Sequence, residues 1–250
     1  MAAKNMMNAI DGRQAYVWYL ETASETMTSA SSDKTLAVGD IVIVKKVGTT
    51  DFVGGKVNAP YIVTKGITLT DGECIKCSAK FIGMATDKSV NKSKSTSEIT
   101  CDFDAAKSYV TDGAIDISGS ISLMFSVDGK GYASTFIKQR FGAVDLYDEA
   151  GTVTTLESAT DEKDLLLFAW NARDAKATDL VEFEVIPALI TSLDHSSSYG
   201  SPQSMNINFS GNATDENGYE ARTMVIPGGQ AVVKALATTR AQAESAADAS

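Results

Sequence analysis

Apolar and polar residues alternate along the segment from Ile115 to Val127. Its odd positions are apolar apart from Gly119, and its first four even positions are polar. Successive side chains of a β-strand point to opposite faces, so this alternation is typical of a strand with one buried and one solvated face. The segment therefore predicts a half-buried strand. Its solvated residues are Asp116, Ser118, Ser120 and Ser122.

Other segments alternate in the same way and predict further strands, at 75–81, 99–103, 181–185 and 204–210. Shorter runs rich in β-formers lie at 15–20, 41–47, 61–64 and 165–170. Asp-Gly and Asn-Gly pairs, which favour tight turns, punctuate the series. The chain is therefore predicted to be mainly antiparallel β.

One segment has helical spacing instead. Apolar residues recur at three- and four-residue intervals from Tyr132 to Phe141, between Gly131 and Gly142. This spacing places them on one face of a helix, which we predict over about 131–142.

Two stretches without a clear period are predicted as long loops, Thr22–Lys34 and about 83–97. Residues 1–14 are expected to form an N-terminal arm. The alanine-rich segment 231–250 has few large apolar residues, so we expect a flexible C-terminal tail. Nothing divides residues 1–230, which we expect to form a single domain.

Composition and charge limit the function. Hydrophobic residues make up 44% of the chain, which is enough to bury a core. The 22 basic and 32 acidic residues give a net charge of -10, which disfavours a protein that grips nucleic-acid phosphates. No apolar run approaches the roughly 20 residues of a membrane span, and no secretory signal is visible, so we expect a soluble protein. The 3 cysteines cannot all pair, so no disulfide framework is predicted.

The sequence offers no constellation typical of catalysis. His195 is the single histidine and lies in a polar run, where a solvated loop residue is expected. Cys74 and Cys77 have the spacing of a metal or redox pair, but in a strand their side chains point to opposite faces. Gly54-Gly55 and Gly228-Gly229 lack the Lys and Ser/Thr of a phosphate loop and predict turns. We expect a protein that is not an enzyme and has no catalytic residue, metal site or cofactor.

The solvated faces of the predicted strands carry hydroxyl, amide and carboxylate groups without Lys or Arg. A surface that only keeps a protein soluble usually mixes both signs of charge. A surface that lets a polyanion pass lacks cations, because each cation is a potential phosphate contact. The residues concerned are Thr100, Asp102, Asp104, Asp116, Ser118, Ser120, Ser122, Glu182, Glu184, Ser204, Asn206, Asn208 and Ser210.

Three stretches of the chain resemble the major tail proteins, or tail tube proteins, of long-tailed bacteriophages. They are 97–104 (SEITCDFD) with 112–121 (DGAIDISGSI), the helix at 132–141 (YASTFIKQRF), and 181–190 (VEFEVIPALI) with 203–218 (QSMNINFSGNATDENG). The resemblance is one of element order over about residues 74–226, and it includes no catalytic motif.

The resemblance implies an antiparallel β-sandwich or barrel of two sheets flanked by one α-helix. It also implies a homo-oligomer of hexameric rings, whose inner sheets join into one barrel and which stack into a tube. The polar residues above would be candidates for the lumen, through which DNA passes without specific binding. A tape-measure protein and other tail proteins would be partners, in a virion tail whose subunits are made in the host cytoplasm. Related tube proteins of contractile injection and secretion systems share this plan.

The predicted loop at 83–97 carries Lys88, Lys92 and Lys94 on an otherwise acidic chain. In a tube, this loop would be free to contact a neighbouring subunit or ring. The alternative for these lysines is a solvated loop tip. The alternative for the whole chain is a secreted or surface β-sandwich, either an adhesin or a carbohydrate-binding module, with an aromatic platform and an export route.

Overall fold

A computed structural model describes residues 15–82, 84–99, 108–124, 137–147, 150–158, 164–172, 178–199, 204–211 and 219–236. These residues contain fourteen strands and two helical segments, which are named in chain order. The strands are β1 Tyr16–Met27, β2 Thr35–Leu36, β3 Ile41–Lys46, β4 Pro60–Ile62, β5 Ile67–Thr68, β6 Glu73–Phe81, β7 Met84–Ile99, β8 Ser108–Met124, β9 Val144–Tyr147, β10 Val153–Leu156, β11 Asp164–Trp170, β12 Leu180–Ser196, β13 Ser204–Gly211 and β14 Arg222–Pro227. The helical segments are α1 at 137–139 and α2 at 230–236.

One large sheet dominates the fold. Its order is β4-β3-β6-β1-β11-β12-β13-β8-β7, with β14 attached to β12, and the pairings are antiparallel. Two small sheets, β9 with β10 and β2 with β5, stand apart from it. This confirms the predicted mainly β, sandwich-like fold, although the sheet does not close into a barrel within the described residues.

Apolar side chains cover both faces of the central strands. β11 (DLLLFAW) is buried almost throughout, as expected for a strand that lies between two layers. On one face, Leu167 belongs to a cluster with Trp18 and Phe183, to which α2 also contributes. On the other face, Phe168 belongs to a cluster with Ile207 and with apolar residues of β1, β8 and α1. The large sheet therefore has two separate core layers.

Gly119 interrupts the apolar positions of β8 for a steric reason. It pairs with Phe209 of β13 on one side and with Val90 of β7 on the other. A Cβ atom at this position would collide with the ring of Phe209 and with the backbone oxygen of Ser89. The missing side chain thus makes room for Phe209 in the core.

β12 changes both its partner and its phase along its length. Its first half pairs with β14 and its second half with β13, and the register shifts between Ile190 and Ser192. This shift leaves one residue of β12 without a partner in β13. After such an extra residue, the alternate positions of the strand point to the opposite faces of the sheet. The face that carries buried Phe183 in the first half therefore carries polar Ser192 and Asp194 in the second half.

Two segments predicted as loops are strands. Residues 22–27 belong to β1, and residues 84–99 form β7, which pairs with β8 along most of its length. Three positions of β7 that pair with isoleucines of β8 hold lysines, so β7 lacks the apolar–polar alternation by which a strand is identified from sequence. The pairs are Lys88 with Ile121, Lys92 with Ile117 and Lys94 with Ile115.

The predicted flexible tail is wrong for residues 231–236. They belong to α2, whose Val232, Val233 and Leu236 are buried in the same cluster as Trp18. Three apolar side chains on one helical face are enough to bind this segment to the sheet. Residues 237–250 lie outside the described residues.

Within the helix predicted at 131–142, residues 137–139 are helical, with Ile137 buried, whereas residues 140–142 form a turn and a bend. Residues 131–136 lie outside the described residues, as do the N-terminal arm at 1–14 and most of the strand predicted at 99–103. That residues 1–230 form a single domain, and that residues 237–250 form a tail, both stay predictions.

Candidate functional site

Four adjacent strands share a polar face on the large sheet. Its central row runs from Ser192 of β12 through Asn208 of β13 and Ser120 of β8 to Ser89 of β7. The Asn208 Nδ2 atom donates to Ser192 Oγ at 2.7 Å, and the Ser120 and Ser89 hydroxyls lie 2.9 Å apart. Because directly paired residues of an antiparallel ladder project to the same side, this row defines one face.

The neighbouring rows extend this face in both directions. One row is Asp194, Asn206, Ser122 and Asp87, and another is Leu189, Ser210, Ser118 and Asn91. Ser196 with Ser204 adds a pair at one end, with hydroxyls 2.6 Å apart, and Asp116 with Ser93 adds a pair at the other. We call this set of residues, apart from the apolar Leu189, the polar face.

The polar face has negative charge and no positive charge. Asp87, Asp116 and Asp194 supply its carboxylates, and all three are exposed. The other members are Ser and Asn, and none is Lys or Arg. Neutral hydrogen-bonding groups and scattered carboxylates give a phosphate chain no cation to bind, and cations supply most of the affinity for phosphates.

The three lysines of β7 lie on the opposite side of the sheet. Their ladder partners Ile121, Ile117 and Ile115 alternate with Ser118 and Ser120 of β8, so the lysines point away from the polar face. Burial lowers the pKa of Lys88, which is half-buried there. The cations of β7 are therefore separated from the polar face by the sheet itself.

Lys92 is held within its own chain. Its ammonium forms an ion pair with Glu184 of β12 and donates to Thr223 Oγ1 of β14 at 3.1 Å. The Glu184 Oε2 atom also accepts from Trp170 Nε1 at 3.3 Å. The prediction of free lysines on a loop is thus wrong for Lys92, because its side chain reaches Glu184 of β12 and Thr223 of β14.

The prediction that Glu184 lies on a solvated face is also wrong, because its side chain is buried. Glu184 pairs with Phe168 of β11 and lies on the side of the sheet that carries Ile186 and Ala188. Glu182 is exposed but has the same phase, so it too points away from the polar face. The register shift in β12 accounts for the difference.

The structure brings together eight of the polar residues identified from the sequence. They are Asp116, Ser118, Ser120, Ser122, Ser204, Asn206, Asn208 and Ser210. Thr100, Asp102 and Asp104 lie outside the described residues. Sequence reasoning missed Asp87, Ser89 and Asn91 because β7 was taken for a loop, and it missed Ser192 and Asp194 because the phase of β12 reverses.

The polar face ends at an open strand edge. β7 is 16 residues long and comes last in the sheet order, so one of its sides has no strand partner among the described residues. Past Gly211, the last described residue of β13, β7 and β8 pair with each other as a two-stranded ribbon over Lys94–Ile99 and Ser108–Ile115, and no third strand joins them among the described residues. A long open edge is a ready template for pairing with another chain.

The described residues contain no group of three or more His, Cys, Asp or Glu side chains suited to a metal ion. Burial raises the pKa of the Cys74 thiol to about 11 and that of the Cys77 thiol to about 12, so both thiols stay protonated and unreactive at neutral pH. A cavity of about 510 Å³ beside α2 contains the ion pair of Lys76 with Asp40 and none of the predicted polar residues. Among the helices described, none is long and apolar enough to cross a bilayer.

Comparison with known proteins gives a fold likeness only. No family model matches the chain, and no curated protein matches it. One similar solved structure is a chain from the tail of an empty gene transfer agent particle with C6 symmetry, at 13% identity and a TM-score of 0.37, covering 53% of this chain and 81% of that chain. A second is a chain from the virion of a native gene transfer agent particle, at 15% identity and a TM-score of 0.34, covering 53% and 83%.

Proposed function

We propose that this protein is a structural subunit of a phage tail tube and that the polar face lines the lumen. Copies form rings, the rings stack, and DNA passes along a surface of hydroxyls, amides and carboxylates. The observation that carries the proposal is the four-stranded polar face, which has no cation and ends at a 16-residue open edge.

The charge of the face suits a conduit. Each Lys or Arg in contact with a phosphate releases counterions and retains the DNA, so a lumen lined with cations slows its cargo at every ring. Carboxylates repel the cargo instead, and salt screens that repulsion within about 8 Å at physiological ionic strength. DNA would therefore pass without a strong contact and without dependence on its base sequence.

The open edge of β7 suits assembly. A soluble protein usually shortens, charges or covers such an edge, because an exposed strand invites uncontrolled pairing. Pairing with an edge of the next subunit covers it in an ordered way. When two different surfaces of one chain meet, the contact repeats from copy to copy, and it forms a ring when the rotation between neighbouring copies closes. Six copies per ring is the number that the sequence resemblance implies.

The β7 lysines have different places in this proposal. Lys92 stabilises its own subunit through Glu184, so Lys88 and Lys94 remain the candidates for contact with a neighbouring subunit or ring. Lys94 is exposed and begins the ribbon that extends past β13. The tape-measure protein and then DNA would occupy the lumen, and the protein would reside in the virion tail.

Electron microscopy of the purified full-length chain tests assembly. Rings or tubes of uniform width are expected. A chain that stays monomeric at every concentration would overturn the proposal and favour the alternative of an adhesin or carbohydrate-binding module.

The place of the polar face is tested by thiol labelling. In a Cys101→Ser background, Ser118→Cys should react with a bulky maleimide in dissociated subunits and be protected in intact tubes. A small maleimide should reach the same thiol in both states. Equal access of the bulky reagent to tubes and subunits would place Ser118 outside the lumen.

A further inference from the structure

The helix α2 packs closely on the large sheet up to its last described residue, Leu236. Val232, Val233 and Leu236 are buried in the core cluster that also contains Trp18. Near the end of α2, a Cβ atom at Gly39 would collide with the Cβ atom of Ala235, so the helix and the turn before β3 are in tight contact. The chain beyond Leu236 therefore starts from a fixed point on the sheet.

A cavity of about 510 Å³ begins where the described part of α2 ends, and Ala235 and Leu236 form one of its walls. Its floor is a row of residues across three strands. Ile41 of β3 pairs with Cys77 of β6, which pairs in turn with Thr22 of β1. Because directly paired residues project to the same side of a sheet, this row lies on the face that α2 covers. We call it the floor row.

The size of the cavity calls for an occupant. A protein interior has few voids larger than a water molecule, and one water needs only about 10–15 Å³. Ile41 and Cys77 belong to the same core cluster as the buried residues of α2. The core layer under α2 therefore continues along the floor row, where this helix no longer covers it.

The charges beside the cavity are already paired within the chain. Lys76 pairs with Asp40 at 2.9 Å, and Lys80 pairs with Glu21 at 2.6 Å. The other lining residues away from α2 and the floor row are small or apolar, namely Ala23, Val38, Gly39, Ser78 and Ala79. An occupant needs small uncharged side chains here, because no unpaired charge lines the cavity among the described residues.

The segment that follows Leu236 has this composition. Residues 237–250 include six alanines and no larger apolar residue. At the helical rise of 1.5 Å per residue this segment reaches about 20 Å, and further when extended, so the whole cavity is within its reach. Its attachment at the cavity wall gives it a high effective concentration there, which a second copy of the chain lacks.

We propose that residues 237–250 fold back onto their own subunit and fill this cavity, with alanine side chains packed on the floor row. The segment then extends the core layer that α2 begins and covers the open part of β1, β3 and β6. This inference goes beyond the proposed function, because it concerns a single subunit and holds whether or not the subunits form a tube.

Trypsin tests the contact in the full-length chain, because Arg240 is the single Lys or Arg in residues 237–250. Thr22→Trp places a large side chain in the cavity and should expel the segment. Cleavage after Arg240 should then be at least about tenfold faster than in the parent chain, since proteolysis follows the population of the open form. Thr26→Trp makes the same change at an exposed position of β1 outside the cavity and should leave the rate unaltered.

Mass spectrometry of the product measures the cleavage, and urea unfolding checks that both variants remain folded. Equal cleavage rates in the parent chain and in Thr22→Trp would overturn the proposal.

Cross-linking within the full-length chain tests the same contact without a bulky substitution. In a Cys77→Ala, Cys101→Ser background, each of the six alanines is changed to Cys in turn, together with Thr22→Cys or with Thr26→Cys. For at least one alanine, mild oxidation should give about tenfold more intramolecular disulfide with Thr22→Cys than with Thr26→Cys, because the contact raises the effective concentration of the two thiols.

Two results of this experiment would overturn the proposal. A segment that does not pack in the cavity would link to both threonine positions about equally at every alanine. Disulfides that form only between chains, seen as dimer on a non-reducing gel, would assign the cavity to a second copy instead. Neither result bears on the tube function, which is tested by assembly.

Discussion

Lys92 of β7 and Glu184 of β12 form an ion pair that spans two distant parts of the chain. Glu184 is buried, and its Oε2 atom also accepts from the indole N–H of Trp170 at 3.3 Å. Removing one partner of a buried ion pair is strongly destabilising, because it leaves the other partner's charge uncompensated. The pair therefore joins the open edge strand to the centre of the fold.

Lys92→Met should destabilise the subunit by about 2 kcal/mol, because it leaves the buried Glu184 without its cation. Lys94→Met, on the same strand and exposed, is the matched control and should change stability by less than about 0.5 kcal/mol. Urea unfolding measures both. Equal effects of the two variants would show that the ion pair does not stabilise the fold.

The polar positions of β8 and β13 could be predicted from the sequence because these strands are regular. Alternation with period two needs only a constant phase, and Ile117, Ile121 and Ile207 are buried as expected. Ile115 is exposed because β8 extends beyond the end of β13 at that point. Local pattern was thus sufficient for the parts of β8 and β13 that pair with each other and keep one phase along their length.

The rest of the site depends on long-range structure. Nothing near Glu184 in sequence reveals that Lys92 will approach it, so its burial could not be predicted from the alternation around it. The register shift after Ile190 likewise depends on the switch of β12 from β14 to β13. β7 was not predicted as a strand because lysines occupy the positions that pair with the isoleucines of β8. The aliphatic stems of lysines can cover apolar neighbours at such positions.

The buried group formed by Arg140, Asp164 and Tyr19 makes stability sensitive to alkaline pH. Arg140 Nη2 donates to Asp164 Oδ1 at 2.6 Å and to Tyr19 Oη at 3.2 Å. Burial, together with the charge of Asp164, holds the pKa of Tyr19 well above its ordinary value of 10.0. In the folded state the phenol therefore keeps its proton after an unfolded tyrosine has lost it.

Stability should consequently fall as pH rises above about 10, by up to about 1.4 kcal/mol per pH unit from this residue. Tyr19→Phe should remove that contribution, and Tyr199→Phe should not. The measurement is the free energy of unfolding in urea between about pH 9 and pH 11. Parallel pH profiles for the parent chain and Tyr19→Phe would contradict the prediction.

Asp51 should make stability sensitive to acid. Burial alone would raise the pKa of this carboxyl, but hydrogen bonds from the N–H groups of Thr70, Gly72 and Asp71 outweigh it and hold the pKa below its usual 3.8. The stabilisation is therefore present above about pH 4 and is lost as pH falls through the folded-state pKa. Acid would therefore weaken the hydrogen bonds by which Asp51 holds the loop at 47–59 to residues 70–72.

Asp51→Asn should lower stability at neutral pH by about 1 kcal/mol, because the amide loses the charge that strengthens these hydrogen bonds. It should also flatten the acid side of the stability profile. Asp33→Asn, at an exposed position, is the control. If Asp51→Asn and the parent chain lose stability in parallel below about pH 4, the carboxylate has no such role.

The opposite orientations of Asp116 and Glu182 provide a matched test of DNA passage. Both residues are exposed acids in long strands, but Asp116 lies on the polar face and Glu182 points to the other side of the sheet. Asp116→Lys should slow or arrest DNA ejection, because it places one phosphate-binding cation per subunit in the lumen, repeated at every ring. Glu182→Lys makes the same change in charge and should leave the ejection rate unaltered.

The measurement is the rate of DNA ejection, at low and at high salt, from phage whose tails are shown to be intact by microscopy. High salt should restore the rate of the Asp116→Lys phage, because it screens the contact between the lysine and the phosphates. An unaltered rate for Asp116→Lys, or an equal slowing by both variants, would mean that the polar face does not line the path of the DNA.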